Sequence, residues 1–213
     1  MNDALLKRHL ELVIEANKVT NITRISTWDE GMLLHVEDSL VGLPEVVAAP
    51  EGRYVDLGSG AGYPGIPLAV ESGRRTLLVD SVGKKTAILD SMVQELGLTN
   101  VETYTGRIED LAREQPCSFA VATARALSRL SVLMELASPL LILGGVLVCY
   151  KAHVEEDELE HALALQDQTG MFLCGDREVD LQGRERRIIS FEKKAEPSIN
   201  LPRKTGLAQK RPL

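Results

Sequence analysis

The stretch Tyr54–Asp80, YVDLGSGAGYPGIPLAVESGRRTLLVD, decides the fold. Its first residues, Tyr54-Val55-Asp56-Leu57, form a short apolar run of the kind that makes a buried strand. The run breaks into Gly58-Ser59-Gly60-Ala61-Gly62, followed by Tyr63-Pro64-Gly65 and an apolar segment of helical spacing. A second strand, Thr76-Leu77-Leu78-Val79, then ends on Asp80. This is a strand–loop–helix–strand unit. Its glycines allow backbone angles closed to other residues and let a ligand approach the main chain without meeting a Cβ. Pro64 and Pro67 fall in the first helical turn, where a missing N–H costs nothing. The free N–H groups of that turn suit an anionic or polar ligand. Asp80, at the carboxyl end of the second strand, is placed to accept hydrogen bonds from a ribose diol.

Two cofactor classes use this geometry. Gly60-Ala61-Gly62-Tyr63-Pro64-Gly65 satisfies G-x-G-x-x-G with an acid about 20 residues on, as a dinucleotide site requires. The same residues also give Asp56-x-Gly58-x-Gly60-x-Gly62, the pattern of S-adenosylmethionine (AdoMet) methyltransferases, in which the acid inside the strand helps hold the loop and the cofactor's ammonium group. A dehydrogenase would need a hydride-transfer partner and a catalytic domain after the nucleotide fold, and neither is evident. A non-catalytic RNA-binding module would not need an intact loop and Asp80 together.

Outward from this unit the chain alternates. Upstream, apolar residues at helical spacing predict a helix over 3–19, and Thr27-Trp28-Asp29-Glu30 matches a capping box with Thr27 as N-cap of a second helix that stops before Pro44. Downstream, helices are expected over 84–96, 107–113, 131–143 and 155–166, and strands over 101–104, 119–122 and 146–150. The runs 171–179 and 187–191 flank Gln182-Gly183 as an antiparallel hairpin. The expected fold is α/β: a doubly wound, mostly parallel, seven-stranded Rossmann-like sheet closed by a C-terminal antiparallel hairpin. The expected division is a helical extension at 1–45, a cofactor-binding domain at 46–192 and a basic tail at 193–213.

At 213 residues, with 44% hydrophobic and 26% charged residues, the chain has the makings of one globular core. No apolar run reaches membrane-spanning length. The N-terminus carries charges throughout, unlike a signal peptide. Cys117, Cys149 and Cys174 are odd in number and widely spaced, which points to reduced thiols, the cytoplasm and no structural zinc. A net charge of -7 argues against a general nucleic-acid coat. However, Lys193, Lys194, Arg203, Lys204, Lys210 and Arg211 gather at the C-terminus, where cations either solvate a tail or neutralise phosphates. Lys84 and Lys85 open a helix against its dipole, a placement that serves an outside anion or a pairing with Asp80 or Asp56.

The chain resembles the 16S rRNA guanine-N7 methyltransferase G family, also called glucose-inhibited division protein B. The resemblance is carried by Asn21-Ile22-Thr23, His35-Val36-Glu37-Asp38-Ser39-Leu40, Asp56 through Leu68, Asp80-Ser81-Val82-Gly83-Lys84-Lys85, Arg107-Ile108-Glu109, Ala124-Arg125-Ala126 and Leu201-Pro202-Arg203-Lys204. It covers nearly the whole chain. It implies a class I AdoMet-dependent methyltransferase acting on N7 of a guanine (position 527, in the 530 loop) of 16S rRNA, in the small ribosomal subunit or an assembly intermediate, as a monomer. It implies AdoMet contacts at Gly58, Tyr63, Asp80, Ile108, Glu109 and Arg125, with Arg125 also positioning the reactants. A cationic rim from Lys84, Lys85, Lys151, Arg203 and Lys204 would hold RNA, with no metal. The family usually has glycine after the lysine of the fifth strand, where this chain has Ala152. Guanine N7 carries a lone pair and no proton, so no catalytic base is expected, and His35 is expected to be a helix-surface or packing histidine.

Overall fold

The computed structural model describes residues 2–213 and places seven strands in one sheet. Met1, counted in the N-terminal segment, lies outside the described residues. The elements run α1 (Asp3–Asn17), α2 (Trp28–Gly31), a π-helical stretch (Met32–Glu37), α3 (Asp38–Leu40), α4 (Leu43–Ala48), β1 (Tyr54–Leu57), α5 (Gly65–Ser72), β2 (Thr76–Asp80), α6 (Gly83–Glu95), β3 (Val101–Thr105), α7 (Ile108–Glu114), β4 (Phe119–Arg125), α8 (Leu130–Ala137), β5 (Leu141–Lys151), α9 (Glu156–Ala164), α10 (Gln166–Thr169), β6 (Met171–Leu181), β7 (Arg184–Lys193) and α11 (Leu207–Lys210). The strand order is β3-β2-β1-β4-β5-β7-β6. β1 to β5 are parallel, while β7 runs antiparallel to both β5 and β6. The chain reverses its winding between β1 and β4, and there the loops leaving the carboxyl ends part to open a crevice.

Strands buried on both faces are near-continuously apolar, and strand parity sorts them. Val55, Leu57, Leu77 and Val79 face a core shared with α7, α8 and α9. Leu78 faces the opposite core, built with α1, α5 and α6. Tyr54, Val121 and Val148 join Val46 of α4 on that side. The N-terminal helices are therefore part of the sandwich: Leu6, Leu10 and Val13 of α1 pack with Ile66 and Ala69 of α5.

Several boundaries differ from expectation. The Thr27 hydroxyl bonds the Glu30 carboxylate at 3.1 Å and caps no backbone N–H. The helix over 131–143 ends at Ala137, and Leu141 already belongs to β5, which pairs with Phe119 before a register shift. The C-terminal residues do not form a free basic tail. Lys193 is 1% exposed and donates to the Leu141 carbonyl at 3.1 Å. Arg203 pairs through two nitrogens with Glu135, a carboxylate 2% exposed, and Ala208 of α11 is buried in the core beside α8.

Candidate active site

The loop after β1 is wired to the end of β2. The Gly58 and Ser59 N–H groups both donate to the Val79 carbonyl at 2.9 Å, and the Val79 N–H donates to Ser59 Oγ. Gly58 has φ +75, where any other residue is strained, and a Cβ there would also press on Leu127 Cδ1 at 2.9 Å. Asp80 is 8% exposed, with Oδ2 accepting from the Gly60 N–H at 3.1 Å and Oδ1 from the Val82 N–H at 2.9 Å. Each oxygen keeps further acceptor capacity for a ligand.

These residues border a cleft of about 280 Å³ with Ile108 and Glu109 from α7 and Ala126 and Leu127 after β4. Four expected cofactor contacts, Gly58, Asp80, Ile108 and Glu109, thus meet in one place, with Lys85 at the rim. A carboxylate fixed at the end of β2, apolar Ile108 and Leu127, and a loop whose Gly58, Gly60 and Gly62 all have positive φ and present bare backbone suit a nucleoside. The C-terminal segment supplies another wall: Gln209 lines the cleft and accepts from Arg107 Nη2 at 3.2 Å, while the Gly206 N–H donates to Glu109 Oε1 at 2.6 Å.

Tyr63 and Arg125 lie elsewhere. Tyr63 is 4% exposed, stacked on His35 with ring centroids 4.4 Å apart and tilted against His9 at the same distance. Arg125 stands over its ring at 5.7 Å and lines a neighbouring cavity of about 440 Å³ with Leu34, His35, Asp38, Tyr150 and Arg186. Arg125 donates to Asp38 Oδ2 at 2.7 Å and to the Leu34 carbonyl at 3.0 Å, and faces His35 Nδ1 at 3.3 Å. If Nδ1 accepts from the guanidinium, then Nε2–H of His35 donates to Thr23 Oγ1 at 2.9 Å. Burial, reinforced by Arg125, pushes the His35 pKa down to about 4.

Asp56 touches the loop at Ser59 and Gly65, as expected, but does not line the cleft where an ammonium group would lie. It is fully buried on the α5 face, where its Oδ1 accepts from Thr123 at 2.6 Å, and Oδ2 lies against Gly65 without a well-formed hydrogen bond. It faces the core and not the cleft. Burial raises its pKa to about 6. Neither Asp56 nor Asp80 is paired with Lys84 or Lys85: Lys84 is exposed and Lys85 half-exposed, with no ion pair among the described residues. Lys151, expected at the rim, is bound to Glu158 at 2.7 Å and to the Ser128 carbonyl at 2.9 Å. Arg203 is likewise engaged inside the fold, and Lys204 is exposed. Among the described residues no group of three or more histidines, cysteines or acids could hold a metal ion.

The Asp38–Arg186 contact, with Arg186 Nε donating to Oδ1 at 2.5 Å, has no local signature in the sequence, because the two residues are 148 positions apart. Asp38 lies within a stretch that carries the family resemblance, and that is the one signal pointing to it.

Residues 2–174 match the family model for rRNA small subunit methyltransferase G. The ribosomal RNA small subunit methyltransferase G of Carboxydothermus hydrogenoformans is 36% identical over 98% of this chain and 91% of its own length. That of Streptococcus pyogenes is 36% identical over 96% of this chain and 89% of its own. Among solved structures, the YcgJ protein of Bacillus subtilis superposes with a TM-score of 0.60 at 14% identity, over 76% of this chain and all of that one. A precorrin-6y C5,15-methyltransferase from Geobacter metallireducens gives 0.56 at 15% identity, over 74% of this chain and 88% of that one. At such identities the structures speak to the fold, which is that of class I methyltransferases. The sequence matches carry the assignment, and the chain belongs to the small-subunit rRNA methyltransferase G family.

Proposed function

We propose that this chain transfers a methyl group from AdoMet to N7 of a guanine in the 530 loop of 16S rRNA. The observation that supports this reading most is the cleft at the carboxyl ends of β1 and β2, where Asp80 is aimed by Gly60 and Val82 beside Gly58. AdoMet is the cofactor; bound there, it supplies an electrophilic methyl on a sulfonium. Asp80 would accept from the ribose hydroxyls, Ile108 and Leu127 would pack on the adenine, and the Gly58 main chain would border the methionine part.

N7 brings its own lone pair, so the chain has no proton to remove. His35, the one histidine in the neighbouring cavity, is neutral at physiological pH and bonded through both nitrogens, in keeping with a site that works by orientation. Holding reactants in attack geometry is worth up to roughly 7–11 kcal/mol. In A-form RNA the N7 edge lies in a deep, narrow groove, so the target base is unpaired or flipped out. Lys84, Lys85 and Lys204 remain available for phosphates. The substrate is the small subunit or an assembly intermediate, and the chain acts as a cytoplasmic monomer. Calorimetry with AdoMet and with NAD tests the cofactor: AdoMet binds and NAD does not. Tight NAD binding would overturn the reading.

A further inference from the structure

We propose that the cavity beside the cofactor cleft receives the acceptor base, and that Asp38 selects guanine there by accepting hydrogen bonds from its N1–H and N2 amino group. The proposal rests on the reading of the chain as a guanine methyltransferase. Ala126 belongs to the walls of both cavities, so a base in the second meets the cofactor cleft at the carboxyl end of β4. At about 440 Å³ the cavity is in the ordinary range of ligand pockets, roughly 300–1,000 Å³. Leu34, Leu133 and Tyr150 give it apolar walls, and its polar end is Asp38 between Arg125 and Arg186.

Flipped bases are read on the Watson–Crick edge and held between apolar or aromatic side chains. Guanine presents two donors there, N1–H and the N2 amino group, beside the O6 acceptor. Adenine presents a bare N1 acceptor. A carboxylate accepts only, so it bonds the guanine edge and faces the adenine N1 lone pair. Asp38 is held in place to read that edge. Its side chain is 7% exposed, Arg125 holds Oδ2 at 2.7 Å and Arg186 holds Oδ1 at 2.5 Å. Each oxygen retains acceptor capacity, and either guanidinium has spare N–H groups for O6. Two cations on one carboxylate also leave net positive charge where a polyanion must enter. The three residues come from α3, β4 and β7, so the N-terminal helices and the closing hairpin complete one pocket together.

The test uses small subunits reconstituted with 16S rRNA carrying guanosine or inosine at the methylated position. Inosine keeps N7, O6 and N1–H but lacks the N2 amino group. The wild-type enzyme should lose about tenfold or more in kcat/KM on inosine, the value of one hydrogen bond to a charged group. Asp38→Asn should be slower on guanosine, bind AdoMet normally, and show a much smaller inosine penalty. A purely structural Asp38 would leave that penalty unchanged in the variant, which overturns the proposal. Equal wild-type rates on both bases overturn it as well. If Asp38→Asn does not fold, Arg186→Gln, which removes one of the two guanidiniums that fix the carboxylate's position, should shrink the inosine penalty, and an unchanged penalty overturns the proposal. A wild-type enzyme that methylates neither particle would remove the parent reading along with this one.

Discussion

Glu109 and Gly206 are joined across 97 residues: the Gly206 N–H donates to Glu109 Oε1 at 2.6 Å, tying the C-terminal segment to the first turn of α7. The same segment sends Gln209 into the wall of the cleft proposed for the cofactor and Ala208 into the core. It is therefore built into both the cleft wall and the core.

Removing residues 201–213 should lower both the melting temperature and AdoMet affinity. The sharper variant is Arg203→Ala, which strands the buried Glu135 carboxylate and should cost about 3 kcal/mol of stability. Chemical denaturation and calorimetry check the two effects. A truncated protein as stable and as tight for AdoMet as the parent would contradict a structural role for the segment.

Asp80→Ala should weaken AdoMet binding by about 1–3 kcal/mol, because charge-assisted bonds to the ribose are lost along with the loop contacts to Gly60 and Val82. Titration calorimetry reads this directly. Unchanged affinity would mean that the cleft is not the cofactor site.

Legibility in the sequence depends on distance along the chain. The glycine loop, the place of Asp80 at the end of β2 and the strand alternation are local patterns, and the structure contains them. The run Leu140–Leu143 has no period that separates helix from strand, so the start of β5 is hidden in it. Arg203 and Lys193 look like solvated cations because their partners, Glu135 and the Leu141 carbonyl, lie 68 and 52 residues away. Asp56 reads as a ligand residue because a buried carboxylate is rare; strand parity, which places it on the Tyr54 face, argues otherwise. Asp38 and Arg186 meet only after the hairpin folds back over the N-terminal helices.

Stability should fall on acidification, with a sign fixed by buried histidines. Burial pushes His9 down to about 3 and His35 to about 4. Their folded pKa values lie below the unfolded value of about 6.5. Each therefore contributes stability that is present above that value and is lost as pH falls toward the folded pKa. Asp56, raised to about 6, opposes this by one proton between the ordinary carboxylate range and about 6. Two against one leaves a net loss toward low pH from these groups. His9→Gln should make the slope of unfolding free energy between pH 4 and 6 shallower by about 1.4 kcal/mol per pH unit. Parallel slopes in variant and parent would contradict the assignment.

Lys84 and Lys85 are free of ion pairs among the described residues, and the proposed function assigns them to RNA phosphates. Replacing both by alanine should leave melting temperature unchanged and reduce the slope of log affinity for rRNA against log salt by about one unit per lost phosphate contact. Weaker binding with an unchanged slope would place them outside the RNA interface.

The measurement that bears most directly on the central claim is transfer of labelled methyl from AdoMet to small subunits isolated from methylation-deficient cells, with the labelled nucleotide mapped and its base identified. The expected product is a single 7-methylguanosine in the 530 loop of 16S rRNA. Label on another atom or another segment of the rRNA, or none at all, would contradict it.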